Sequence, residues 1–196
     1  MPETFKFNSA APNELYSFTN KIIEMFLEKA DAGSTLVILC IGSDRSTGDS
    51  LGPLTGSLLC KLNPTGTVIL GTLKNPVHAV NLEKTVAQLY KSCPVPFVVA
   101  VDACLGQLKS VGFVELGYGP LSPGSGVNKT LPPVGDIYIS GVVNVGGFLE
   151  QMVLQNTRLY KVFSLAEFIS KGLFLACQAR TKTLEGSISP MLKTNN

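Results

Sequence analysis

Hydrophobic residues recur along this chain in two rhythms, and the change between them marks out the elements. Leu15, Phe18, Ile22 and Phe26 fall at three- and four-residue spacing. They predict a helix capped at Asn13 and running to about Ala30. STLVILCI (34–41) has no polar interruption, as expected of a strand covered on both faces. LGPLTGSLLCKL (51–62) returns to the helical rhythm with Pro53 in its first turn. TVILGTL (67–73) predicts a short strand, and HAVNLEKTVAQLYKS (78–92) an amphipathic helix. PFVVAVDA (96–103) predicts a second buried strand that ends around Asp102. SVGFVELGY (110–118) and GDIYISGVV (135–143) are strand-like, and GPLSPGSGVNKTLPPVG (119–135) between them predicts a long loop. GGFLEQMVLQN (146–156) is helical, and TRLYKVF (157–163) reads as a weak strand or extended lead-in. Ser164 and Glu167 have the spacing of a capping box for a last helix to about Arg180, followed by a frayed tail.

Strands that alternate with helices predict one domain over residues 1–196: a three-layer α/β/α sandwich around a mostly parallel, twisted sheet. Composition narrows the function. With 45% hydrophobic and 15% charged residues the chain is globular rather than disordered. A net charge of +2, scattered lysines and no tryptophan argue against a nucleic-acid surface. The N-terminus has no apolar signal core, and no apolar run reaches membrane-spanning length, so a soluble cytoplasmic protein is expected. The five cysteines, an odd number without a CxxC pair, fit reduced thiols.

The chemistry concentrates at strand ends. In sheets of this class the ligand crevice lies beyond the carboxyl ends of the parallel strands. Asp44 and Asp49 follow the first buried strand in CIGSDRSTGDSLGP, and Asp102 follows the second in AVDACL. Two facing carboxyls can share a proton, one acting as base towards water and the other as acid towards a leaving group. Asp49, just before a helix N-terminus, is expected to be the ionised base, and Asp102, after an apolar strand, the neutral acid; the roles could be exchanged. The plainer readings are that Asp49 caps a helix, that Asp102 caps a loop or binds a lysine, and that Asp44 pairs with Arg45 at the surface, in reach of the crevice as a helper. His78, the one histidine, reads as structural more readily than catalytic. PGSGVNK offers Gly124, Ser125 and Gly126 as a backbone nest with Lys129, suited to a peptide carbonyl or oxyanion, or else a plain turn. Cys104 reads as a packed thiol. No GxSxG elbow or GK[ST] phosphate loop is present.

Taken in order, TGDSLGP, VAVDACL and SPGSGVNK…GDIYISGVVN resemble the germination protease of spore-forming bacteria, and more closely its shorter, YyaC-type sporulation relatives. The resemblance spans about residues 35 to 145. It implies a fold like that of the hydrogenase maturation proteases and an aspartate-dependent peptidase whose two functional acids correspond to Asp49 and Asp102. It also implies a protein or peptide substrate in the developing spore or mother cell. No cofactor, nucleic acid or membrane is called for, and self-association is left open. Two alternatives stand beside this reading. One is a sporulation binding module of the same fold that does not cut, since the germination protease is longer and made as a zymogen. The other is a metal-dependent maturation peptidase, although His78 does not match the histidine motif of that family.

Overall fold

The computed structural model describes residues 3–123 and 131–192, with side chains up to residue 186. Its centre is a six-stranded sheet in the order β1-β5-β6-β4-β2-β3. The strands are β1 (Thr4–Asn8), β2 (Thr35–Cys40), β3 (Thr67–Leu70), β4 (Pro96–Gly106), β5 (Phe113–Tyr118) and β6 (Ile137–Val145). β3, β2, β4 and β6 run parallel, β5 pairs antiparallel with β6, and β1 pairs antiparallel with β5 and so runs in the direction of the parallel four. The helices are α1 (Glu14–Lys29), α2 (Leu51–Leu62), α3 (Leu82–Ser92), α4 (Glu150–Gln155) and α5 (Leu159–Leu192).

The uninterrupted apolar strands are explained by two cores, one on each face. Leu36, Ile38 and Cys40 of β2 and Phe97, Val99 and Val101 of β4 point towards α1, α2 and α5. Val37 and Leu39 of β2 and Val98 and Ala100 of β4 point the other way, towards Leu82 and Leu89 of α3 and the segment containing Leu131 and Val134. This is the expected three-layer arrangement, with the strand period of two dividing each strand between its layers.

Local reading misplaced several boundaries. β1 was not foreseen, because TFKFN is short and offers only Phe5 and Phe7 as an alternating pair. Its place on the sheet edge is fixed by the register Lys6↔Glu115 and by a 2.7 Å ion pair between those side chains. The capping box at Ser164 does not form. α5 begins at Leu159, and Ser164 Oγ lies inside the helix, donating to the Tyr160 carbonyl at 2.8 Å. Val162, Leu165, Ala166 and Ile169 are buried at helical spacing, so packing overrides the weak strand propensity of TRLYKVF. The tail expected to fray continues α5 to Leu192. Asn13 flanks α1 without a side-chain cap bond. Residues 159–186 are long and apolar enough, by length and composition, to cross a membrane, but 56% of the relevant window is buried inside the protein, as in a core helix.

Two glycines allow the turn between β2 and α2. Gly42 has φ +140°, and a Cβ there would lie 2.1 Å from the Asp49 carbonyl oxygen. A Cβ on Gly52 would lie 2.0 Å from the Ile41 carbonyl oxygen. The first turn of α2 therefore rests directly on the end of β2. Because the obstacle is backbone, Gly52→Ala is expected to cost about 1–3 kcal/mol or more, seen as a lower denaturant midpoint in chemical unfolding.

Candidate functional site

β4 outlasts its neighbour β2. The β2–β4 ladder ends at Cys40↔Val101, with one further bond from the Ile41 N–H to the Val101 carbonyl, whereas β4 stays paired with β6 as far as Gly106. Asp102 is thus not at a strand terminus as the sequence suggested. It lies within β4, one residue past the point where β2 turns away, and the divergence of the two strands opens a pocket of about 390 Å³. Two loops and one strand at the carboxyl edge converge on it. The loop after β2 supplies Ser43, Arg45, Ser46 and Asp49, the loop after β3 supplies His78, and β4 supplies Asp102 and Cys104. Glu150, Gln151, Leu154 and Gln155 from α4 form the remaining wall with Pro123 and Leu131.

Asp49 and Asp102, separated by 53 residues in sequence, therefore line the same pocket. Asp49 sits in a short 3-10 turn, Gly48–Ser50, ahead of α2. Neither that turn nor α2 has a side-chain cap bond, so its carboxyl is not spent on capping. Burial pushes the Asp49 carboxyl above the ordinary range, and the Ser43 amide and the nearby His78 only partly offset this. Asp102 is 6% exposed, and its Oδ1 accepts the Ala103 N–H at 2.8 Å.

The other expected residues fare differently. Asp44 is exposed and absent from the pocket wall, whereas its neighbour Arg45 is part of it. Among the described residues Asp44 and Arg45 form no ion pair. Gly124, Ser125, Gly126 and Lys129 lie outside the described residues. Cys104 lines the pocket, but burial together with Glu115 and Asp102 pushes its thiol up to about 12, so it is not a nucleophile at neutral pH. Among the described residues no three His, Cys, Asp or Glu side chains stand together so as to hold a metal ion. Asp49, His78 and Asp102 share a pocket but do not form a ligand set, and no chemical step is routed through a metal here.

His78, read from the sequence as structural more readily than catalytic, also lines the pocket. It follows β3 as Asp49 follows β2, so the strand-end argument that selected the acids could have selected it too. What obscured it was the irregular stretch between β3 and α3, where a single bridge, Ile41↔Val77, continues the sheet.

Comparison with known proteins places the chain. A [NiFe] hydrogenase maturation protease, HycI from Thermococcus kodakarensis KOD1, matches over 75% of this chain and 97% of its own, at 21% identity and a TM-score of 0.38. That likeness is too distant to transfer any site residue. The uncharacterized protein YyaC of Bacillus subtilis (strain 168) is 50% identical over 170 residues, covering 87% of this chain and 82% of YyaC. Residues 6–172 match the family described as protein of unknown function (DUF1256), and the chain belongs to that family.

Proposed function

We propose that the protein is an aspartate-dependent peptidase related to the germination protease, acting on a protein segment during sporulation. The observation that supports this reading is that Asp49 and Asp102 both line one pocket at the carboxyl edge of the sheet. The raised carboxyl of Asp49 suits the acid, so the roles first expected are exchanged. Asp102 takes a proton from water as the water oxygen bonds to the peptide carbonyl carbon, and the carbonyl π electrons move onto its oxygen. As the tetrahedral intermediate collapses, the C–N bond breaks and the Asp49 proton passes to the leaving amine. Hydrolysis consumes one water and leaves a carboxyl and an amine.

The test is to incubate the purified protein with small acid-soluble spore proteins across a range of pH and to identify fragments by mass spectrometry. Discrete fragments, absent with Asp102→Asn, are expected. A non-cutting binding module is the second reading; apolar Leu105, Leu131 and Leu154 in the wall favour it. No fragments at any pH, with or without added nickel or zinc, would overturn the peptidase and leave the binding module.

A further inference from the structure

The His78 ring lines the pocket and is oriented by the local backbone. Its Nδ1 accepts the Val80 N–H at 3.3 Å. The surrounding turn is fixed by Asn81, whose Oδ1 accepts the His78 N–H at 2.8 Å and whose Nδ2 donates to the Pro76 carbonyl at 3.0 Å. The His78 carbonyl in turn accepts the amides of Asn81 and Leu82, the first of α3. A ring nitrogen that accepts a backbone N–H cannot also carry a proton, so the ring proton belongs on Nε2. Asp49 lines the same pocket as this ring. Among the described residues Nε2 has no hydrogen-bond partner, and the ring lines the pocket. A second neutral donor belongs to the same wall: Ser46 Oγ is buried and has no partner among the described residues.

We infer that His78, with Nδ1 engaged by the Val80 N–H, donates from Nε2–H to the carbonyl oxygen of the bound peptide and to the oxyanion that follows. This rests on the peptidase reading and adds to it the electrophilic half of the site. A neutral N–H donor aimed at developing negative charge stabilises the transition state more than the ground state. It also leaves the proton traffic to the two acids. The pocket is accordingly built for an uncharged amide carbonyl flanked by two neutral donors.

The chain has one histidine, so its ring nitrogens can be read without ambiguity in a long-range 1H–15N correlation spectrum of the labelled full chain. At pH 7.5 the spectrum should show a protonated Nε2 and a bare Nδ1. A protonated Nδ1, alone or with Nε2, overturns the assignment whatever the protein cleaves. In the spore-protein cleavage assay, His78→Ala should lower kcat by roughly 10²–10³-fold with KM within about threefold, and His78→Gln, which keeps a neutral N–H, should recover part of the loss. Unchanged kcat in His78→Ala, with its fold verified by thermal melting, overturns the proposal. If the unaltered protein cuts nothing, the peptidase reading and the part of His78 in it fall together even with the expected tautomer. A wrong tautomer with cleavage intact removes His78 alone.

Discussion

Asp49→Asn is expected to lower peptide cleavage by roughly 10²–10⁴-fold while the folded protein melts no lower than the unaltered one. The two effects have a common origin. Burial raises the Asp49 carboxyl, so the folded state binds its proton more tightly than the unfolded chain does. A group with a raised folded value makes stability fall as pH rises from the unfolded to the folded value, because the folded state must then carry a poorly solvated charge. Below the unfolded value the acid is neutral in both states and the penalty vanishes. The amide of asparagine carries no such charge at any pH. The melting temperature of Asp49→Asn relative to the unaltered protein should therefore rise with pH and level off once Asp49 is ionised. Thermal melts of both proteins between about pH 3 and 8, beside kcat at the same values, provide the check. A variant that melts lower at every pH would mean that Asp49 stabilises the fold, and the proposed catalytic role would lose its physical basis. A site residue that costs stability is common, since activity requires groups the fold would not otherwise keep there.

The distribution of this information along the chain explains what could be read in advance. Buried strands such as TLVILC and PFVVAV announce themselves because both faces must be apolar, and the helix 51–62 was placed to the residue because its rhythm is bounded by Ser50 and Asn63. That Asp49 and Asp102 line one pocket followed from one topological rule, that adjacent parallel strands present their carboxyl ends at one edge. The rest depended on partners distant in sequence. β1 exists because β5 offers an edge, and α5 starts early because α1 and α2 bury its first turns. The burial that raises the Asp49 carboxyl was not legible, because the local signal, a helix N-terminus, was visible, whereas the enclosing wall from α4 and β4 was not. The place of His78 was hidden for a related reason: its ring is held by a hydrogen bond in an irregular turn that no periodicity reveals.

Phe18→Ala should have the opposite profile, with a large loss of stability and an intact site. The Phe18 side chain is fully buried on α1, edge-on to Phe7 at 5.3 Å between ring centroids and stacked on Phe168 at 5.1 Å. It ties together three elements, β1, α1 and α5. A Cβ on Gly172 would come within 2.5 Å of the Phe18 ring, so α5 has been brought close enough for its backbone to lie against the aromatic face. Truncation removes the ring from all of these at once, and neither a strand nor a long helix can move in to fill the space. The expected cost is about 3–5 kcal/mol, or roughly 2–4 °C of melting temperature per kcal/mol for a chain of this size. Denaturant unfolding should show a lower midpoint with little change of slope. Phe18→Leu should retain a substantial part of the stability, because most of the volume is kept. None of the residues lining the pocket belongs to α1 or α5. At a temperature where Phe18→Ala remains folded, its kcat should therefore match the unaltered protein within about twofold, since distant sites act independently. If kcat falls with stability, the layer of α1, α2 and α5 holds the acids in place, and the pocket is not the self-contained product of the β2, β3 and β4 loops that the peptidase reading takes it to be.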